Sequence, residues 1–325
     1  MKVLVAGGAG YIGSRLVPSL LEHGYEVGVI DALWFGNHLP PEVRVVRRDL
    51  LECRPSDFEG YEQVVFLAGI SNDPMAEYDP AENFIQNGAL PAYLAFIAKK
   101  AGVRRMIYAS SCSIYGYTQD RLYDEEAPVA CGYPYGISKL QGERAALQMA
   151  DAAFSVIALR QGTVCGWSPR MRFDLIVNTM YKTAVTSGVI TVNNPSIWRP
   201  VLDIRDTVSA FTRAVQAGYA VSGVFNVASG NFTVGQVADH VKDEIEERIG
   251  RRVRLEIRSL DDLRNYKVSC ERARVELGFQ PQYSIRDIVA DLHRHADEYG
   301  DFEREEYYNI RIFKTLAGAR RQLAV

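Results

Sequence analysis

Short apolar runs recur through the first half of the chain. "KVLVA" (2–6), "EVGVID" (26–31), "VRVVRRD" (43–49), "EQVVFLAG" (62–69), "VRRMIYAS" (103–110) and "FSVIALR" (154–160) are of strand length and rich in β-branched residues. Helical patterns separate several of them. "SRLVPSLLEHG" follows the first strand and stops at His23-Gly24. Longer helical stretches fill 81–102 and about 134–151. Strands alternating with helices predict parallel strands joined by crossovers, an α/β doubly wound parallel sheet of Rossmann type.

After about residue 165 the rhythm loosens. Residues 171–188, 204–218 and 233–250 read as helices, and 223–229 and 252–258 as strands. The pattern predicts a sheet domain over 1–165, with about 201–228 returning to it. A smaller C-terminal lobe over 166–325 then caps the strand ends, where open α/β sheets bind ligands. The tail "EYGDFEREEYYNIRIFKTL" (298–316) mixes aromatic and charged residues, and packs either on the lobe or on a partner chain.

Composition narrows the classes. The hydrophobic fraction of 47% can fill a large core, and 37 basic against 40 acidic residues leave a net charge of −3. That balance gives no case for nucleic acid or an anionic membrane as partner. No apolar run reaches transmembrane length, and the start reads as a strand and turn rather than a leader. A cytoplasmic protein is the expectation. The five cysteines are scattered, which fits a reducing compartment. The five histidines form no ligand cluster, so no metal is expected.

The first chemistry lies between strand one and helix one. "GGAGYIG" places Gly7, Gly8, Gly10 and Gly13 in a tight turn, with Tyr11 and Ile12 inside it. The turn lets backbone touch a pyrophosphate while the helix N-terminus offers free N–H groups. Asp31 ends strand two, 18 residues past Gly13, where a carboxylate accepts from ribose hydroxyls and repels a 2′-phosphate. No arginine directly follows it, so NAD is expected over NADP. Asp49 and Leu50 could frame the adenine, or Asp49 could be a plain turn acid. Ala68-Gly69 would let the cofactor approach the backbone.

The second chemistry is "YPYGISK", with Tyr135 and Lys139 four apart on one helical face. A tyrosine is a poor base near neutrality, and an ammonium beside it is expected to favour the phenolate. "SSCSIYG" (110–116) sets three hydroxyls and a thiol where strand five ends.

Together these motifs resemble the extended short-chain dehydrogenase/reductases, in particular the nucleotide-sugar epimerases and dehydratases. "LRQGTVCG" (159–166) and "WRPVLDIRDTVSAF" (198–211) are similar to two further segments of that family. The resemblance implies that Ser111 hydrogen-bonds the reacting oxygen, Tyr135 shuttles the proton, and Lys139 holds the nicotinamide ribose and tunes Tyr135. It implies that Arg199 holds a nucleotide diphosphate, that Asn87 braces the sheet near the cofactor, and that Ser113 and Thr163 face substrate. Thr163 replaces a usual Asn, and Leu202-Asp203 replaces a usual His-Val. Arg170 and Arg172 near the cleft could bind a second anion, such as a diphosphate or sugar carboxylate, or could be solvated at a helix start. The family often dimerises through paired long helices, here about 81–100 and 134–150, so a homodimer is expected.

In that family's dehydratases an acid pair follows the catalytic Ser/Thr. Here Cys112 and Ser113 stand there, which argues against dehydration; decarboxylation is disfavoured too, since it uses a Glu in this segment. Cys112 lies one place before the reactive cysteine of the family's 3,5-epimerases, and a one-residue shift in an extended segment turns a side chain to the other face. The resemblance then implies an NAD-dependent nucleotide-sugar epimerase acting at C4 through a 4-keto intermediate. A one-way ketoreductase or dehydrogenase, a 3,5-epimerase, and a non-catalytic NAD-binding sensor are the alternatives.

Overall fold

The computed structural model describes residues 1–259 and 264–323, apart from the side chains of 118–120 and 319–323. Seven parallel strands form the central sheet. They are β1 (Lys2–Ala6), β2 (Glu26–Asp31), β3 (Arg44–Arg47), β4 (Gln63–Phe66), β5 (Arg105–Ser111), β6 (Ser155–Gln161) and β7 (Gly223–Val227). Their order is β7-β6-β5-β4-β1-β2-β3. The order reverses beside β1, which opens a crevice at the strand C-termini.

The strands are apolar throughout because both faces are covered. Val3 and Val5 pack with Leu16, Leu20 and Phe211, from helices α1 (Gly13–Glu22) and, further along the chain, Ile204–Gln216. Leu4 and Ala6 point the other way, into a core with Leu94, Ala98 and Ala146. These last belong to α2 (Leu90–Lys100) and α3 (Pro134–Leu147).

Two helix expectations need correction. The segment 81–102 is not one helix. It is a short helix Pro80–Asn83, a π-helical turn Phe84–Ala89, then α2. Pro91 lacks the N–H that would bond the Asn87 carbonyl, so the ladder rearranges there. Residues 171–175 are not helical either; α4 runs Ile176–Ser187. "RMRFD" instead alternates, with Met171 and Phe173 in the lobe core and Arg170, Arg172 and Asp174 on the cavity wall. That is the period of extended chain.

The C-terminal part holds α4, α5 (Ile204–Gln216), α6 (Val234–Ile249), α7 (Ile285–Arg294) and α8 (Asn309–Leu323). Of these, α5 leads into β7 and packs on the central sheet. Thr163–Cys165, Trp198–Asp203 and Gly230–Thr233 make a small sheet beside the strand ends. The tail packs on the lobe: Phe173 meets Tyr299, Phe302 and Tyr307 edge-on. No helix of the described residues is long and apolar enough to cross a membrane.

Arg105 fastens α5 to the sheet. It is fully buried, and its guanidinium donates to the carbonyls of Ala214, Ala217, Gly218 and Val221 at the end of α5, and to Ser155 Oγ. A cation there also complements the helix C-terminus. Arg105→Met leaves four carbonyls, that of Ala214 fully buried, without their donor and is expected to cost roughly 3 kcal/mol in urea unfolding. A loss below about 1 kcal/mol would contradict this.

Candidate active site

One cavity of about 560 Å³ opens at the strand C-termini. Its cofactor end is built by backbone. Gly7 has φ +82°, and a Cβ there would stand 2.5 Å from Ala68 N. A Cβ at Gly13 would meet Gly8 O at 2.2 Å. Only glycine permits this packing of the turn on β4 and on the helix start. The N-cap of α1, Ile12, makes no side-chain cap bond and no acid sits in the first turn; Ser14 N and Arg15 N bond to Gly10 O and Ile12 O, so the amides of the turn before Ser14 are the ones placed to meet an anion. Asp31 accepts from Ala9 N at 3.0 Å and Leu33 N at 2.7 Å, which orients its carboxylate. Burial nonetheless raises its pKa. An uncapped helix N-terminus with an oriented carboxylate beyond it fits a dinucleotide.

Gly7, Gly10, Tyr11, Ile12, Gly13, Asp31, Asp49, Leu50, Ala68 and Gly69 all line the cavity. Asp49 also caps a turn by accepting from Leu51 N. Asn87 does not line it. It stands behind Gly69, donating to Ile70 O at 2.9 Å and Asn83 Oδ1 at 2.9 Å, so it braces the loop after β4.

The reactive end follows from how β5 runs out. Ser110 turns inward and donates to Glu143 Oε2 at 2.6 Å. Ser111 turns to the cavity, caps a 3₁₀ turn (Cys112–Tyr115), and lies 2.8 Å from Ser113 Oγ. Cys112 points into the core and donates to Arg160 O at 3.0 Å; burial pushes its thiol well up. It does not line the cavity, whereas Ser113 does.

Tyr135 and Lys139 face Ser111 from the first turns of α3. The Ser111 hydroxyl favours the ionised form of Tyr135. Without cofactor, burial pushes the Tyr135 phenol above the usual tyrosine range, the Asp73 charge adds to the rise, and Ser111 and Arg172 oppose it. Burial penalises the Lys139 ammonium as well. Its Nζ donates to Ala109 O at 2.5 Å and lies over the Tyr108 ring, and burial pulls it down to about 7.

The same α3 stripe carries Glu143, which forms a buried bidentate pair with Arg160 at 2.7 and 3.0 Å. Arg160 also donates to Tyr115 OH at 2.8 Å. This group was not singled out from sequence, although Glu143 is four residues beyond Lys139 and on its face.

At the third corner, Thr163, Arg199, Arg264 and Tyr266 line the cavity. Arg199 donates to the Trp198 and Arg264 carbonyls, and Arg264 pairs with Asp73. Arg172 is held by Asp174 at 2.8 Å, and Asp174 accepts from Asn72. Arg170 and Arg172 are buried, not solvated. Sequence reading missed Ser71, Asn72, Asp73, Gln161, Arg264, Tyr266 and Asn309, all on the cavity wall. The polar run "SND" directly after β4 was the available signal, since ligands gather at strand C-termini. Among the described residues, no group of histidine, cysteine and acids could hold a metal.

Known proteins decide the family. The model described as "NAD dependent epimerase/dehydratase family" matches residues 3–228. The chain belongs to this family. A UDP-glucose 4-epimerase of Corynebacterium glutamicum is 28% identical, over 93% of this chain and 97% of the relative. UDP-glucuronic acid decarboxylase 6 of Arabidopsis thaliana is 26% identical, over 88% and 86%. The solved structure of MoeE5 with UDP-glucuronic acid and NAD superimposes with a TM-score of 0.81 at 27% identity, covering 92% of this chain and all but 1% of the other, that is 99%. The protein is therefore an NAD-dependent enzyme of the epimerase/dehydratase family. When bound, NAD supplies a hydride acceptor and donor; the glycine turn and Asp31 are the residues that fit it.

Lys139 makes a pH signature. In the folded protein its pKa is about 7, against 10.5 ordinarily. Between those values the unfolded chain binds the extra proton, so this group makes stability rise with pH across that window. Lys139→Met removes the slope. The wild-type minus variant difference in unfolding free energy, measured without cofactor, is expected to grow between pH 7 and 10, by up to about 1.4 kcal/mol per pH unit. A flat difference would contradict the buried-ammonium reading.

Proposed function

We propose that the protein is a nucleotide-sugar epimerase acting at C4 through a transient 4-keto sugar. The observation that carries this is the juxtaposition of Ser111, Tyr135 and Lys139 on one wall, with a core thiol and a hydroxyl, Cys112 and Ser113, following Ser111. Tyr135 takes the C4 hydroxyl proton while hydride leaves C4. Ser111 donates to the reacting oxygen and keeps the phenol aligned. Lys139 holds the ribose next to the ring that accepts hydride and adds positive charge there. Arg199, aided by Arg264, binds the substrate diphosphate, and Thr163 and Ser113 bound the sugar. Epimerisation needs the keto sugar to turn over between hydride transfers, and this wall offers hydroxyls rather than an acid pair to eliminate water.

The substrate is a nucleoside diphosphate sugar. UDP-hexoses and UDP-hexuronates are the first to test, since the named relatives act on or bind such sugars. Tyr135→Phe should lower turnover about 10²–10⁴-fold. Wild-type turnover should leave NADH at its starting level. Steady NADH production or consumption would favour one-way redox instead, and an active Tyr135→Phe would remove the proposed proton path.

A homodimer is part of this proposal. Ile85, Tyr93 and Phe96 are exposed on the 81–100 segment, Phe96 at 53%. Phe96→Glu is expected to halve the mass seen by light scattering. An unchanged dimer, or a monomeric wild type, would exclude this face.

A further inference from the structure

Arg170 is a buried cation with an unfilled hydrogen-bonding capacity. It is 3% exposed and lines the cavity. Its guanidinium lies 3.6 Å over the ring of Phe35, and Nη2 donates to Asn309 Oδ1. Its Nε is buried with no partner among the described residues. Arg172, two residues on, has its own carboxylate in Asp174; Arg170 has no ion pair among the described residues. Burial, then Arg172, pulls the Arg170 pKa down to about 9. A desolvated guanidinium in that state is built to receive an anion.

Its surroundings say which one. The loop bearing Arg170 is tied to the glycine turn: Tyr11 OH donates to Gly166 O at 2.6 Å, and Ser168 Oγ donates to Tyr11 O at 2.7 Å. The Asp31 carboxylate is among the charges it feels, and Phe35 follows β2. Arg172 lies between the two ends, over the Tyr11 ring at 5.9 Å and acting on Tyr135, and is held by Asp174. Arg170 therefore faces the cofactor end, not the sugar.

Asn309 fixes that aim. It is 5% exposed, accepts from Arg170, and donates through Nδ2 to Ser71 Oγ at 2.5 Å. It thus links α8 to loops on two walls. One turn on, Phe313 is buried against Trp34 and Tyr78.

We infer that Arg170 binds the diphosphate bridge of NAD, and that Asn309, supplied by the C-terminal helix, is the residue that positions it. The inference rests on the family's cofactor and not on which sugar is turned over.

The test is calorimetry of full-length protein stripped of cofactor, with NAD as one probe and UDP as the other. Arg170→Gln should weaken NAD roughly 10- to 100-fold, the worth of one charge-assisted contact, and leave UDP within twofold. NAD affinity within twofold of wild type overturns the assignment, whatever UDP does. Equal losses for both probes overturn it as well, because the effect is then not local. Asn309→Asp and Asn309→Ala decide the positioning role, and serve if Arg170→Gln does not fold. The near-isosteric aspartate gives Arg170 an internal counter-charge, so Asn309→Asp should weaken NAD more than Asn309→Ala. A purely structural role gives the reverse order and would overturn the inference. A wild type that binds NAD but turns over no nucleotide sugar would defeat the epimerase proposal and leave this one standing.

Discussion

A buried ion pair, Glu143 with Arg160, fixes where the reactive groups stand. Glu143 lies on α3, two turns past Tyr135, and Arg160 lies on β6. Ser110 of β5 donates to the same carboxylate, and Arg160 reaches Tyr115 at the end of the 3₁₀ turn. Three elements distant in sequence are thereby locked in one register. Such a pair adds little net stability, because desolvating two charges offsets most of their attraction. Its value is geometric. With Ser110 anchored inward, the pleat sends Ser111 outward, and the helix face that buries Glu143 presents Lys139 and Tyr135 to it.

The glycine turn fixes the other end by a steric limit instead of a charge. Gly7 against Ala68 and Gly13 against Gly8 let the first strand, the first helix and the loop after β4 converge more closely than any side chain allows. The cavity spans these two fixed ends. Between them, the cavity wall is completed by Ser71, Asn72, Asp73, Arg170, Arg172, Asp174, Arg264, Tyr266 and Asn309.

Much of the fold was legible because parallel strands buried on both faces must be apolar runs. The six strands through residue 160 and the glycine turn could be read directly, whereas Ser111 was singled out only through the family resemblance. Residues 171–175 were misread because Met171 and Phe173 sit close enough to helical spacing to extend α4 backwards. The two-residue alternation with Arg170, Arg172 and Asp174 was the better guide. The break at Asn87 followed from Pro91. Asp73, Arg264 and Asn309 carried no local signal that places them together, because only tertiary folding brings residues 191 and 238 positions apart into contact. Spacing shows that a lysine is near Tyr135, but not that both groups are desolvated.

Epimerisation at C4 makes one demand that neither simple redox nor proton-exchange chemistry shares: the hydrogen removed from C4 must return to C4. The most direct measurement uses UDP-glucose deuterated at C4, followed by NMR in ordinary water with the wild-type enzyme. The account predicts a C4-inverted product that keeps its deuterium at C4, with none lost to solvent. Deuterium washed out of the sugar, or a 4-keto product that accumulates while the label stays on the cofactor, would contradict it.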